Sequence, residues 1–151
     1  MKKIIFVCLG NICRSPMAEF VMKDIVDKAG LSHEFEIASA ATSTYEIGNP
    51  VYPPARQKLA EHGIDCKGKT ARQITKRDYD YYDYIIAMDK SNIRNLKNML
   101  SNDPQGKISL LMDYTSRPAD VADPWYTGDF QATWDDVSEG CEALLKFIMK
   151  K

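Results

Sequence analysis

Net charge is almost absent: 20 lysines and arginines stand against 21 aspartates and glutamates, for a balance of -1 and an isoelectric point near 6.1. A surface so balanced attracts neither nucleic acid nor an anionic membrane, which argues against both as non-specific partners. Long apolar runs are missing too, so no segment is expected to insert in a bilayer. The four cysteines, Cys8, Cys13, Cys66 and Cys141, form neither the paired spacings of a zinc site nor a disulfide framework, a usage that fits a reducing cytoplasm. Only two histidines occur, His33 and His62, and neither has an acid or thiol cluster beside it, so no metal is expected. The opening Met1-Lys2-Lys3 and the apolar stretch Ile4 to Leu9 lack the small-residue cleavage pattern of a secretory signal. Eight glycines and seven prolines are too few for a low-complexity chain. The 151 residues are enough for one domain with a core that needs no covalent staples, and one domain over residues 1–151 is the expectation.

What is present alternates. Ile4-Ile5-Phe6-Val7 is an uninterrupted apolar run, mostly β-branched, which suits a strand covered on both faces and ending near Cys8. Ser15 reads as an N-cap and Pro16 as a first helical residue. Met17, Phe20, Val21 and Ile25 then recur at helical spacing until Gly30. The same alternation continues with a strand over Phe35 to Ser39, a helix from Pro54 to His62, a strand from Tyr84 to Met88, and a helix over Asn92 to Leu100 capped by Ser91. It ends with a strand over Ile108 to Met112 and a C-terminal helix whose apolar stripe runs through Trp134, Val137, Cys141, Leu144, Leu145 and Ile148. Ser43 to Pro54 and Asp113 to Gly128 read as long loops of the kind that carry function, and the acidic, aromatic run Asp78 to Tyr84 as the lead-in to a strand. Alternating strands and helices imply a three-layer α/β/α fold with a parallel sheet, whose ligands bind at the carboxyl ends of the strands.

The loop after the first strand lies at such an end. Cys8-Leu9-Gly10-Asn11-Ile12-Cys13-Arg14-Ser15 puts a thiol at the end of a buried strand, a glycine and an asparagine in the turn, and an arginine just before a helix. Unpaired amides at a helix start, with a loop curled round the same spot, hold an oxyanion such as phosphate. Arg14 adds a planar fork that matches two phosphate oxygens. The same donors favour thiolate over thiol at Cys8 and make it a nucleophile. Ser15 has two possible uses, capping the helix or donating to the Cys8 sulfur. This loop lacks the Gly-Lys-Ser/Thr of a nucleotide-binding loop. A phosphate-ester hydrolase would also need a general acid, and Asp113, Asp120, Asp123 and Asp129 all stand in the late loop. Pro124 biases Asp123 to an extended backbone, and Trp125-Tyr126 could shield its carboxyl.

Val7-Cys8-Leu9-Gly10-Asn11-Ile12-Cys13-Arg14-Ser15-Pro16 resembles, residue for residue, the signature loop of the low-molecular-weight protein tyrosine phosphatases. Further segments follow in that family's order: Ser39 to Ser43, Tyr45 to Pro50, Ala71-Arg72-Gln73, Met88-Asp89 with Ser91-Asn92, and Asp123 to Tyr126. The resemblance implies a four-stranded parallel sheet of order 2-1-3-4 with the phosphate loop after strand 1. It also implies two-step hydrolysis of phosphotyrosine through a phosphocysteine on Cys8, with Arg14 on the phosphate and Asp123 as general acid and then base. Leu9 to Ser15 would form the phosphate-binding loop, supported by Asn11, Ser15 and Ser39. Ile12, Tyr45, Trp125 and Tyr126 would wall the pocket, and Cys13 would pair reversibly with Cys8 under oxidation. Cys66 and Cys141 read as structural. Two positions depart from the pattern: Trp125 stands where animal members commonly have tyrosine, and Lys69 where a histidine often supports the loop. Expected partners are tyrosine-phosphorylated proteins, with phosphate or vanadate as site ligands, no cofactor, and a monomer or weak dimer.

Three rival activities are weighed on residues. Arsenate reduction on this scaffold needs resolving thiols after Ala71-Arg72-Gln73, and residues 72–92 contain no cysteine. Relatives that act on phosphoarginine resemble this chain but carry threonine at the position of Ile12. A non-catalytic phosphoprotein-binding module would have no need of Cys8, Arg14 and Asp123 together.

Overall fold

Strand β1 (Lys2–Cys8) carries Ile4, Ile5, Phe6 and Val7 with no solvent exposure at all, the burial that a central strand covered on both faces requires. The computed structural model describes residues 1–150. After β1 come α1 (Arg14–Lys28), β2 (Phe35–Ala41), α2 (Pro53–Glu61), α3 (Lys76–Tyr81), β3 (Tyr84–Ala87), α4 (Lys90–Met99), β4 (Ile108–Leu110), α5 (Pro124–Thr127) and α6 (Phe130–Met149). The four strands form one parallel sheet of order β2-β1-β3-β4, the order implied by the family resemblance. Ile4 and Phe6 face a core built with α1, α2 and α6, among them Met17, Met22, Leu59, Val137, Cys141 and Leu144. Ile5 and Val7 face a second core on the other side of the sheet with Tyr79 and Leu96 from α3 and α4 and with Tyr82 and Leu100, which follow those helices. Alternation along one strand therefore fills both outer layers.

Several boundaries differ from the sequence reading, each for a local reason. α1 begins at Arg14 with Cys13 at its N-cap, and the Ser15 hydroxyl caps nothing because it turns to the Cys8 sulfur instead. α4 is capped by Asp89, not Ser91. The Asp89 carboxylate accepts the Asn92 amide at 2.7 Å, and the Asn92 side chain returns to the Asp89 amide at 3.1 Å, a reciprocal box that outcompetes a lone serine. β4 stops at Leu110, and residues 111–114 tighten into a 3-10 turn. The run from Asp78 does lead into β3 at Tyr84, but its first four residues also form most of α3, started by a Thr75–Asp78 box and anchored by a bidentate Arg72–Asp78 pair at 2.9 and 3.1 Å. The late loop is not loop throughout: Pro124 to Thr127 close one helical turn under an Asp123 cap and end at Gly128, which takes φ 72°.

α6 lies close against the 3-10 turn through Gly140. A Cβ added there would lie 2.5 Å from Cγ and 2.9 Å from Cδ2 of fully buried Leu111. Gly140→Ala gains helix propensity but overpacks the core, and a net loss of about 1–2 kcal/mol is expected. The urea midpoint measures it; a midpoint at or above the native value would show that Leu111 yields without cost.

Candidate active site

Register places the chemistry. Cys8, the last residue of β1, pairs with Ala41 at the end of β2, and the chain then turns through Leu9 to Cys13 into α1. Asn11 makes the turn with φ 59°, a left-handed backbone that asparagine tolerates better than most residues. Its buried side chain is fully used. Nδ2 donates to Ser15 Oγ at 2.8 Å and Ser39 Oγ at 2.9 Å, while Oδ1 accepts the Arg72 amide at 3.2 Å. Loop carbonyls are taken up from outside: that of Cys8 by Thr42 N–H, that of Leu9 by Ser43 N–H and Oγ–H, and that of Ile12 by Tyr52 N–H. With the carbonyls turned outward, the amides of Gly10, Ile12 and Cys13 have no protein acceptor among the described residues. That is the donor cradle an oxyanion needs.

Two groups converge on the Cys8 sulfur. The Asn11 amide lies 3.3 Å from Cys8 Sγ, and Ser15 Oγ lies 3.0 Å from it. Arg14 is buried, yet its guanidinium donates to Asp89 Oδ2 at 2.8 Å and to the Val121 carbonyl at 3.0 Å. A second nitrogen lies 3.5 Å from Asp123 Oδ2. Burial works against the Arg14 charge, but Cys8, Asp89 and Asp123 outweigh it and hold the guanidinium more firmly protonated than usual. Cys13 behaves oppositely. Burial, reinforced by the Cys8 and Asp123 charges, pushes its thiol up to about 12, so it stays protonated beside the nucleophile. Cys66 and Cys141 are buried free thiols, and burial raises both.

One cleft of about 300 Å³ opens over this loop, lined by residues 8–14 together with Tyr45, Glu46, Asp123, Trp125 and Tyr126. All four expected wall residues are therefore brought together. Ile12 is a buried flank of the cleft, while Tyr45 and Tyr126 are 78% and 81% exposed. Trp125 is steadied by Tyr52, their ring centroids 4.9 Å apart. Of the four candidate acids only Asp123 lines the cleft. Asp120 accepts the Lys90 amide, Asp129 caps α6, and Asp113 lies in the 3-10 turn after β4. Asp123 Oδ1 accepts the Trp125 amide at 3.0 Å, leaving Oδ2 toward Arg14.

Ser39 stands behind Asn11, its Oγ 2.9 Å from Asn11 Nδ2. Sequence reasoning missed what stands behind Ser39: Glu19, a carboxylate 5% exposed, accepts the Ser39 hydroxyl at 2.6 Å. Lys69, at the family's histidine position, donates to the Ser39 carbonyl at 2.8 Å and lies 3.4 Å from Glu19 Oε1. Asp89, Glu46 and Tyr52 were missed as well. The capping pattern around Asp89 was visible, but its grip on Arg14 spans 75 positions and has no local signature. Among the described residues no three His, Cys, Asp or Glu side chains come together as metal ligands. His62 lies flat on Trp134 with centroids 3.7 Å apart.

The model of the family described as low molecular weight phosphotyrosine protein phosphatase matches residues 3–151. The low molecular weight protein-tyrosine-phosphatase YfkJ of Bacillus subtilis is 43% identical, across 100% of this chain and 98% of that protein. Its crystal structure superposes with a TM-score of 0.96, covering 99% of this chain and 96% of that one. SP-PTP, the low molecular weight protein tyrosine phosphatase of Streptococcus pyogenes, is 46% identical with a TM-score of 0.90, over 99% and 94% of the two chains. The Drosophila arginine phosphatase DARP is 31% identical with a TM-score of 0.88, over 98% of each chain. Given the cradle, the buried arginine and the matching sheet order, the chain belongs to the low molecular weight phosphotyrosine protein phosphatase family.

Proposed function

We propose that the chain is a cytoplasmic, metal-independent protein tyrosine phosphatase, one domain throughout, that hydrolyses aryl phosphate monoesters through a phosphocysteine on Cys8. The observation that carries this reading is the single cleft in which the Cys8 sulfur, the Arg14 guanidinium and the Asp123 carboxyl converge under an aromatic wall. A phosphate dianion binds the free loop amides and the Arg14 fork. The Cys8 thiolate attacks phosphorus, the bond to the phenolic oxygen breaks, and Asp123 delivers a proton to that oxygen. Asp123, now ionised, takes a proton from a water that attacks the phosphocysteine, releasing phosphate and returning the thiolate. The reversible Cys8–Cys13 disulfide belongs to the same reading, as do tyrosine-phosphorylated proteins as substrates, phosphate and vanadate as competing oxyanions, and a monomeric or weakly dimeric state.

The wall argues for an aryl ester. Tyr45, Trp125 and Tyr126 offer ring faces above the loop, where a phenyl group is sandwiched and a short serine side chain falls short of the floor. Relative turnover of phosphotyrosine, phosphoarginine and phosphoserine peptides tests this directly. Phosphotyrosine is expected to lead, and a lead for phosphoarginine would move the chain to the arginine-directed branch of the fold.

Cys8→Ser is expected to lower p-nitrophenyl phosphate hydrolysis at least about a thousandfold. Full activity in that variant would remove Cys8 from the reaction. Asp123→Ala is expected to cost about 10²- to 10⁴-fold for phenyl phosphate and much less for p-nitrophenyl phosphate, whose leaving group needs no proton. Equal losses across leaving groups would exclude Asp123 as the acid. Asp89→Asn leaves an equally good helix cap but takes a charge from Arg14. Its kcat/KM is expected to fall about three- to tenfold with little change in Tm, because asparagine caps as well as aspartate does.

A further inference from the structure

Trp125 lines the cleft, yet it is 55% exposed and stands on a helical turn of only four residues. A ring so placed must give up rotamer freedom whenever a guest rests on it, and that loss subtracts from affinity unless the ring is held beforehand. What holds it lies outside the cleft. The ring centroid of Tyr52 is 4.9 Å from that of Trp125, with the planes tilted by 56°. On its other side Tyr52 stacks with Phe130, the first residue of α6, at 6.1 Å and 26°. Both separations fall in the range where aromatic pairs attract.

This row of three rings is seated on the phosphate loop. Tyr52 and Phe130 both pack against the buried cluster of Ile12, Cys13 and Ala71. The backbone of Tyr52 is fixed as well. Its N–H donates to the Ile12 carbonyl at 2.9 Å, and its carbonyl accepts the Arg56 N–H at 3.0 Å in the first turn of α2. Pro53 follows directly and keeps Tyr52 out of the helical backbone region, at φ -57° and ψ 134°. Tyr52 is not among the residues that line the cleft. Among the described residues its hydroxyl makes no hydrogen bond, so the contact with Trp125 is made by the ring alone.

We propose that Tyr52 is a specificity-determining residue that acts by positioning: its ring, seated on the phosphate loop, holds the Trp125 indole in place as the platform for the aryl group of the substrate. Capture of the phosphoryl group belongs to the loop amides and Arg14, which the three rings leave untouched. Tyr52 therefore acts on the aryl group and not on the anion. The inference rests on the phosphatase reading only for the identity of the guest, since the aryl group and the anion can each be probed by binding without turnover.

The test compares the dissociation constants of benzylphosphonate, a nonhydrolysable aryl probe, and of inorganic phosphate, measured by titration calorimetry. The native protein is set beside Tyr52→Ala, Tyr52→Leu, Tyr52→Phe, Trp125→Ala and the double of Tyr52→Ala with Trp125→Ala. An aromatic pair is worth about three- to tenfold, so Tyr52→Ala and Tyr52→Leu are each expected to weaken benzylphosphonate by that factor. Phosphate stays within about twofold throughout, Tyr52→Phe binds both as the native protein does, and the double is no weaker than Trp125→Ala alone. In turnover of p-nitrophenyl phosphate, Tyr52→Ala raises KM and leaves kcat within about twofold. A second measurement needs no ligand. The chain has two tryptophans, so in a Trp134→Phe background acrylamide quenching reports on Trp125 alone, and it is expected to rise with Tyr52→Ala and not with Tyr52→Phe. Native benzylphosphonate affinity in both Tyr52→Ala and Tyr52→Leu, phosphate weakened in step with it, a double whose losses multiply, a Tyr52→Phe loss as large as that of Tyr52→Ala, or unchanged quenching would each overturn the proposal. Should Tyr52→Ala not fold, Tyr52→Leu decides it, because leucine fills the space without a ring. A native protein that follows these binding patterns but hydrolyses no aryl phosphate would refute the phosphatase reading and leave this inference standing.

Discussion

Asn11 reverses the chain at φ 59° and uses every polar atom of its side chain in doing so: two hydrogens to serines on different elements, one oxygen to the amide of Arg72. Its own amide, which the left-handed backbone points inward, lies 3.3 Å from the Cys8 sulfur. Were the turn to relax, loop carbonyls would swing toward the space where an anion must sit, and the cradle would change from donor to acceptor. The outward carbonyls are in turn held by Thr42, Ser43 and Tyr52, so the region after β2 keeps the loop open as much as the loop itself does.

Electrostatics at the site are local and owe nothing to the overall balance of the chain. A net charge of -1 says little about a buried arginine flanked by two acids from distant segments. Taking a guanidinium out of water is costly unless it is paired and hydrogen-bonded, and Asp89 with the Val121 carbonyl meets that requirement before any substrate arrives. Asp89 also caps α4, so one carboxylate ties the position of the arginine to the start of a helix on the opposite face of the sheet.

Much of this was legible in the chain. The apolar run of β1, the Gly-Asn turn and the arginine ahead of a helix are contiguous, and local chemistry suffices to read them. Boundaries were misread where two residues competed for one job. Ser15 and Ser91 both look like caps, but the first is drawn to a sulfur seven residues back and the second loses to a better box that opens two residues earlier, at Asp89. α3 was hidden because four tyrosines between residues 79 and 84 favour a strand locally, whereas a capping box and an arginine pair decide otherwise. Choosing among four loop aspartates by spacing alone was not possible, since what distinguishes Asp123 is its approach to Arg14 across the fold. Glu19 and Lys69 lie 50 positions apart, and only the folded chain shows that they share Ser39.

The short helix α5 ties two functions into one rigid piece. Asp123 begins it by accepting the Trp125 amide, so the carboxyl and the backbone that carries the indole belong to one turn. Tyr52 packs on that indole, so the carboxyl and the aromatic wall meet at one corner of the cleft. A substitution that breaks this one turn therefore alters the charge and the apolar lining of the cleft together, and neither can be changed there in isolation.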